Sequence, residues 1–282
     1  MDVLNHINQV GQSLWYDNIQ RLLLLDGTIE RLITAEKIKG ITSNPTIFQK
    51  AISESRVYDE SLKPMAWAGL NSETIFWEMA VEDIQKAAEL FLPVYLKTEG
   101  RDGFVSLEVN PLYAYDTQLT LEDARRLWNK VARKNLMIKI PATKEGLPAI
   151  RSAISEGINV NVTLIFSLER YREVMEAYIN GLEDRQKQEE PVDTIASVAS
   201  FFVSRVDTKI DGILDKMVKS VKISQVEYGK LAGKAAIANG KLAYRAFKEI
   251  FHGERFEHLK KSGAQVQRPL WASTSTKNPA YR

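Results

Sequence analysis

The chain of 282 residues is 44% hydrophobic, enough to bury a large core, and at about 100–200 residues per domain it suits either two ordinary domains or one large barrel. A formal net charge of +2 without a dense basic stripe argues against nucleic acid as a partner, and the lack of cysteine excludes disulfides, thiol catalysis and thiolate metal sites. The polar segment Met1–Gln12 has no apolar signal core and no stretch approaches ~18 consecutive apolar residues, so a soluble, cytoplasmic protein that does not enter a membrane is expected.

Short strand-like runs alternate with longer stretches of helical periodicity. The strands are expected at Ser13–Asn18, Gly40–Asn44, Phe104–Asn110, Leu136–Pro141, Asn159–Phe166, Thr194–Val203 and Pro269–Thr274. Between them lie amphipathic segments: Ile19–Leu32, Ser72–Leu92, Thr120–Lys134, Leu168–Leu182 and the long Ile223–Phe251. Ser72 and Thr120, each just ahead of acidic residues, read as N-caps, Pro93 as a helix stop, and Gly146, Gly157 and Gly181 as turns. His252–Gln267 reads as a mobile polar loop whose two histidines are solvated rather than metal-bound. No linker, repeat or low-complexity tract appears, so one domain over residues 1–282 is expected.

Repeated βα units imply a parallel sheet covered by helices. Alternation along each run gathers a polar side chain near almost every strand's C-terminal end: Asp17, Thr42 and Asn44, Ser106 and Glu108, Lys139, Asn161 and Thr163, Ser200, and Ser273. An open sheet would collect such groups at one switch point, whereas a (β/α)8 TIM barrel brings the ends of several strands to one face, so the barrel is the expected fold. Its eighth strand is expected either to be missing from this chain or to lie unrecognised between Asn44 and Phe104.

Lys139 interrupts the apolar run Leu136–Pro141. An ammonium in a buried strand persists when paired, or when burial favours the neutral amine that attacks carbonyls; the other reading is a lysine snorkelling from a strand end into water. Carboxylates on other strand ends favour imine chemistry. This needs a nucleophilic amine, an acid/base for water loss at the carbinolamine, and a second base for the hydroxyl proton released when a carbon–carbon bond breaks. Lys139, Glu108 and Asp17 supply these types. Asp17 would otherwise cap the helix that follows it, and Glu108 would otherwise be a structural partner of Lys139.

The segments Thr42-Ser43-Asn44-Pro45-Thr46, Val105-Ser106-Leu107-Glu108-Val109, Met137-Ile138-Lys139-Ile140-Pro141-Ala142-Thr143, Gly157 to Ser167, and Ala199 to Asp207 occur in the order seen in transaldolases, and the chain resembles the longer bacterial type. The resemblance implies a class I aldolase-like barrel that moves a dihydroxyacetone unit between sugar phosphates of the pentose phosphate pathway through a Schiff base, with no metal or organic cofactor. It matches Lys139 to the imine-forming lysine, Glu108 to the acid/base acting through water, and Asp17 to the base on the cleaved hydroxyl. Asn44, Thr163 and Ser200 match groups around the three-carbon unit and the catalytic water; separately, strand alternation puts Phe202 on the face of Ser200, where it is expected to help exclude water. Arg205 and Ser273 match phosphate ligands; Lys277, where Thr274-Ser275-Thr276-Lys277 departs from the shorter forms, is a further candidate.

The resemblance also implies an eighth strand and C-terminal helices beyond Arg282, so a C-terminally truncated barrel is expected, with edges open to a fused domain or a second copy. Two alternative activities accompany the transferase: a fructose-6-phosphate aldolase-like lyase on the same scaffold, and a non-catalytic sugar-phosphate-binding fragment.

Overall fold

The computed structural model describes residues 3–275. The chain divides into two compact units, Met1–Ile140 with Ile158–Val160, and Pro141–Gly157 with Asn161–Arg282.

The first unit opens with α1 (Val3–Gln9), β1 (Trp15–Asp17), α2 (Arg21–Leu25) and α3 (Thr28–Thr34), followed by β2 (Gly40–Thr42). Next come α4 (Pro45–Glu54), α5 (Asp59–Trp67) and α6 (Ser72–Lys97), and the unit ends with β3 (Phe104–Glu108), α7 (Thr117–Val131) and β4 (Leu136–Pro141). Its strands are parallel and lie side by side in chain order. Ile41, Val105, Leu107, Leu136 and Ile138 are almost wholly buried. The long α6 packs against β3, sinking Ala80, Ile84, Ala87, Ala88 and Phe91, a spacing that puts one apolar stripe on the sheet.

The second unit contains α8 (Gly146–Ser155), β5 (Val160–Ile165), α9 (Leu168–Lys187), β6 (Ser197–Phe202) and α10 (Ser204–Lys219). It continues with α11 (Gln225–Leu231), α12 (Ala235–Phe251), α13 (Glu254–Lys261) and β7 (Arg268–Ala272). Its strand order is β5-β6-β7, with β6 and β7 parallel. Strands that follow chain order and are joined through helices are the arrangement of (β/α)8-barrel proteins. No helix among the described residues is long and apolar enough to cross a membrane.

Every expected strand is present, with boundaries shifted by a few residues. The helices differ more from expectation. The segment Ile19–Leu32 is two helices, because Gly27 takes φ 81 between them, and Ile223–Phe251 is likewise divided at Gly233, φ 68, whose N–H is held by the carboxylate of Asp211. Pro93 does not end α6, which continues to Lys97. There the edge-on packing of Tyr95 against Phe104, centroids 5.4 Å apart, anchors the last turn despite the hydrogen bond that proline lacks.

The caps also move. Asn71 rather than Ser72 caps α6, and Asp116 rather than Thr120 caps α7; the Thr120 hydroxyl donates instead to the Tyr113 carbonyl. Gly146 opens α8 rather than marking a turn. Gly181 lies inside α9, where a Cβ would come within 2.7 Å of the Arg151 carbonyl, so it serves the close approach of α8 rather than a turn. The segment His252–Gln267 contains α13, anchored by the buried Phe256 and Leu259, instead of being a loop throughout. The stretch from Asn44 to Phe104 is helical, so the eighth strand is not there.

Just beyond β1, Arg21 is buried and fully engaged. Its guanidinium reaches Asp83 at 2.7 Å, Glu82 at 2.7 Å and the Ser61 hydroxyl at 2.7 Å, and stacks 4.5 Å from the ring centre of Tyr58. The Tyr58 hydroxyl donates to Asp83 and accepts from the Arg21 N–H. A buried carboxylate and guanidinium are tolerated when their hydrogen bonds are this complete. The network fastens the chain leaving Asp17 to α6.

Candidate active site

Strand register builds the core of the site in the first unit. Parallel pairing sets Asp17 beside Thr42, Thr42 beside Ser106, and Glu108 beside Lys139. Adjacent residues in register share a face of the sheet, so Glu108 and Lys139 project together. Their charged ends are 3.3 Å apart, with side chains 13% and 9% exposed respectively. Lys139 Nζ also donates to the Ser43 carbonyl at 3.1 Å. The lysine is therefore paired and buried, not snorkelling into water. Burial pushes the Glu108 carboxyl above the ordinary carboxylate range; the Lys139 ammonium opposes this and the Asp17 charge adds to it.

Asp17 does not cap the following helix, whose N-cap is Gln20. One of its carboxylate oxygens accepts from the Thr42 hydroxyl at 2.6 Å, which fixes the carboxylate at the strand end. Asn44 has a structural task that sequence inspection did not assign: its Oδ1 caps α4 by accepting from the Ile47 N–H at 3.0 Å, leaving its amide N–H groups as donors. The chain is pinned here by Ser43, which is buried and donates to the Ser106 carbonyl at 2.7 Å.

In the second unit, Ser200 on β6 donates to the Asn161 Oδ1 on β5 at 2.7 Å, and both side chains are buried. Thr163 is buried on β5, its carbonyl accepting from the Ala142 N–H. The next residue, Leu164, has φ 61 and is 39% exposed, a left-handed backbone uncommon for a branched side chain. Phe202 lies 5.1 Å from Phe166, and the exposed guanidinium of Arg205 stacks 5.2 Å from the centre of the Phe202 ring. Arg205 is not paired with Asp207, which instead accepts from the Ala236 N–H at the start of α12. Ser273, φ 54, shares a hydroxyl–hydroxyl hydrogen bond of 2.8 Å with Ser204, and its carbonyl accepts the Ser204 N–H. Lys277 lies outside the described residues.

Sequence reasoning left four participants unassigned. Thr42 and Asn161 stood on the right alternation and lacked only a reason to be chosen. Ser204 sits in a loop-to-helix junction, and the Ser43 carbonyl carries no side-chain signal at all.

Residues 14–282 match the family model described as transaldolase/fructose-6-phosphate aldolase. A transaldolase of Trichodesmium erythraeum is 48% identical over 99% of this chain and 75% of its own length, and one of Thermobifida fusca is 49% identical over 98% and 73%. A transaldolase of Mycobacterium tuberculosis is 45% identical over 98% of this chain and 72% of its own. This chain thus spans about three-quarters of the length of these relatives. On the extent of these matches, the chain belongs to the transaldolase/fructose-6-phosphate aldolase family.

Proposed function

We propose that the protein is a transaldolase that passes a dihydroxyacetone unit from a ketose phosphate, fructose 6-phosphate or sedoheptulose 7-phosphate, to an aldose phosphate, erythrose 4-phosphate or glyceraldehyde 3-phosphate. The pentose phosphate pathway in the cytoplasm is its setting. The buried Lys139–Glu108 pair, 3.3 Å apart on neighbouring strands, carries this reading. Glu108 takes a proton from Lys139, and the freed amine adds to the ketose carbonyl. Glu108 then returns a proton to the carbinolamine hydroxyl, which leaves as water. Asp17, oriented by Thr42, accepts the proton of the hydroxyl on the carbon being released, the carbon–carbon bond breaks, and the aldose phosphate departs. The remaining enamine adds to the acceptor aldehyde, and hydrolysis of the new imine frees Lys139.

Asn44 and the Asn161–Ser200 pair supply hydrogen bonds to the hydroxyls of the three-carbon unit, with Thr163 beside the catalytic water. Phe202 restrains other water. Arg205, over the Phe202 ring, together with Ser273, takes the phosphate; a guanidinium fork suits its oxygens. Lys277 is assigned to the same phosphate.

An assay of fructose 6-phosphate with erythrose 4-phosphate tests both the reaction and Arg205. The expected products are glyceraldehyde 3-phosphate and sedoheptulose 7-phosphate, and their absence from folded protein would refute the transferase. In Arg205→Ala, use of phosphorylated donors should fall mainly through a higher KM, because the lost contact is remote from the reacting carbons, while unphosphorylated fructose is affected far less. Equal losses for both donors would remove Arg205 from the phosphate.

A further inference from the structure

Phe166, at the end of β5, lies on a face that regular alternation would not give it. Asn161 and Ser200 share one face of the sheet, since their side chains are hydrogen-bonded at 2.7 Å, and alternation keeps Phe202, two residues after Ser200, on that same face. Phe166 follows Asn161 by an odd number of residues, so an unbroken strand would turn it to the opposite face. Its ring nevertheless lies 5.1 Å from that of Phe202, tilted by 37°. Between the two positions stands Leu164, φ 61, which among the described residues is the only one with a positive φ inside a strand. A left-handed residue there acts as a bulge does and shifts the alternation by one place, which carries Phe166 across to Phe202.

The displaced ring is held from both sides. The Phe166 carbonyl accepts from Asn239 Nδ2 on α12 at 2.9 Å, and the next residue, Ser167, caps α9 by accepting from the Arg170 N–H at 3.1 Å. α12 is tied in turn to α10, where Asp207 accepts from the Ala236 N–H at 2.8 Å and Asp211 from the Gly233 N–H at 3.0 Å. α10 begins at Ser204, so it carries Arg205 in its first turn, and the Arg205 guanidinium lies 5.2 Å from the centre of the Phe202 ring. Core packing does not account for the placement, because Phe166 is 39% exposed. Arg205 is also exposed and, among the described residues, makes no ion pair, so the Phe202 ring is what restricts it.

We propose that Phe166 is a positioning residue for Arg205: it braces the Phe202 ring from β5, so that the guanidinium above that ring is in place before a sugar phosphate arrives. The inference rests on the reading that Arg205 takes the phosphate. A long side chain loses rotamer freedom when it is fixed on a ligand, and a braced ring beneath it removes part of that cost in advance. Phe166 touches no reacting atom, so its contribution belongs to the binding of phosphorylated sugars and not to the steps at Lys139.

The test measures KM and kcat for fructose 6-phosphate and for unphosphorylated fructose, together with competitive inhibition by inorganic phosphate. Phe166→Ala should raise the KM for fructose 6-phosphate and the inhibition constant of phosphate by roughly threefold to tenfold, the scale of an aromatic pair, with kcat and the use of unphosphorylated fructose close to the parent. Phe166→Tyr, which keeps the ring, should restore both constants. Added to Arg205→Ala, Phe166→Ala should cost nothing further, because the group it positions is already gone. An unchanged KM in folded Phe166→Ala, equal losses for both donors, or a further loss in the Arg205→Ala background overturns the inference. Phe166→Leu takes the place of the alanine variant should the latter not fold, with the same readouts. Arg205→Ala by itself separates the two levels: equal losses for both donors refute the phosphate role of Arg205, whereas a loss confined to phosphorylated donors beside an unresponsive Phe166→Ala refutes only the bracing.

Discussion

Borohydride added with fructose 6-phosphate labels Lys139 and no other lysine, and Lys139→Met takes no label and transfers nothing. The expectation follows from the surroundings of the candidates. Lys139 is buried with a carboxylate 3.3 Å from its Nζ, so the proton that blocks nucleophilic attack has an acceptor within direct reach. No other lysine near this stretch combines such an acceptor with burial. Lys130 is half-buried and paired with Glu78 on α6, Lys134 rests 5.5 Å from the ring centre of Tyr95, and Lys144 is exposed. Peptide mapping of the reduced adduct decides the matter. Label on several lysines, or label that persists in Lys139→Met, would remove the imine from Lys139.

The same variant carries a signature in stability. With the ammonium gone, nothing offsets the burial that already raises the Glu108 proton affinity. A carboxyl whose folded pKa exceeds its unfolded value binds its proton more tightly in the folded state, so folding free energy is lost as pH rises from the ordinary glutamate value, about 4.3, to the raised folded value. Thermal unfolding of Lys139→Met should therefore worsen with rising pH across that window more steeply than in the parent. The double variant Lys139→Met with Glu108→Gln should be free of this contribution. A parallel pH dependence in all three proteins would mean that Glu108 is not held in its buried setting.

The strands and the gathering of Lys139, Glu108 and Asp17 at strand ends were legible because their physics is local. A lysine in an apolar run and carboxylates at strand ends are visible in a linear string, and parallel register converts that spacing into Lys139 beside Glu108. What remained hidden depends on partners distant in sequence. Nothing in the linear string marks Arg21 for burial; its partners Asp83 and Glu82 lie about sixty positions away on α6. Asn44 looked free for substrate because a cap at Ile47 becomes visible only once the helix start is fixed. The polarity of Glu254–Lys261 concealed a helix whose anchors, Phe256 and Leu259, were already at helical spacing. Pro93 was overweighted for the converse reason, since its local cost is outweighed by packing of the last turn on β3.

Asp17→Ala and Glu108→Gln should fail at different steps of one reaction. In the proposed mechanism Glu108 manages the protons of carbinolamine formation and dehydration, so Glu108→Gln should slow the appearance of the borohydride-trappable adduct itself, by the ~10²–10⁴-fold that a positioned acid/base contributes. Asp17 stands on a different strand, its carboxylate held at 2.6 Å by Thr42, and takes part only once the imine exists. Asp17→Ala should form the adduct at close to the parent rate and then cleave it slowly, so that the trapped species retains all six carbons of fructose 6-phosphate instead of the three of the dihydroxyacetone unit. Mass measurement of the reduced adduct distinguishes the two directly. A purely structural role for Asp17 is already weakened, because Gln20 and not Asp17 occupies the cap position of α2; such a role would lower thermal stability while leaving cleavage intact in the folded fraction. Should folded Asp17→Ala release glyceraldehyde 3-phosphate at the parent rate, the base belongs to another residue and the proposed mechanism fails at the carbon–carbon bond.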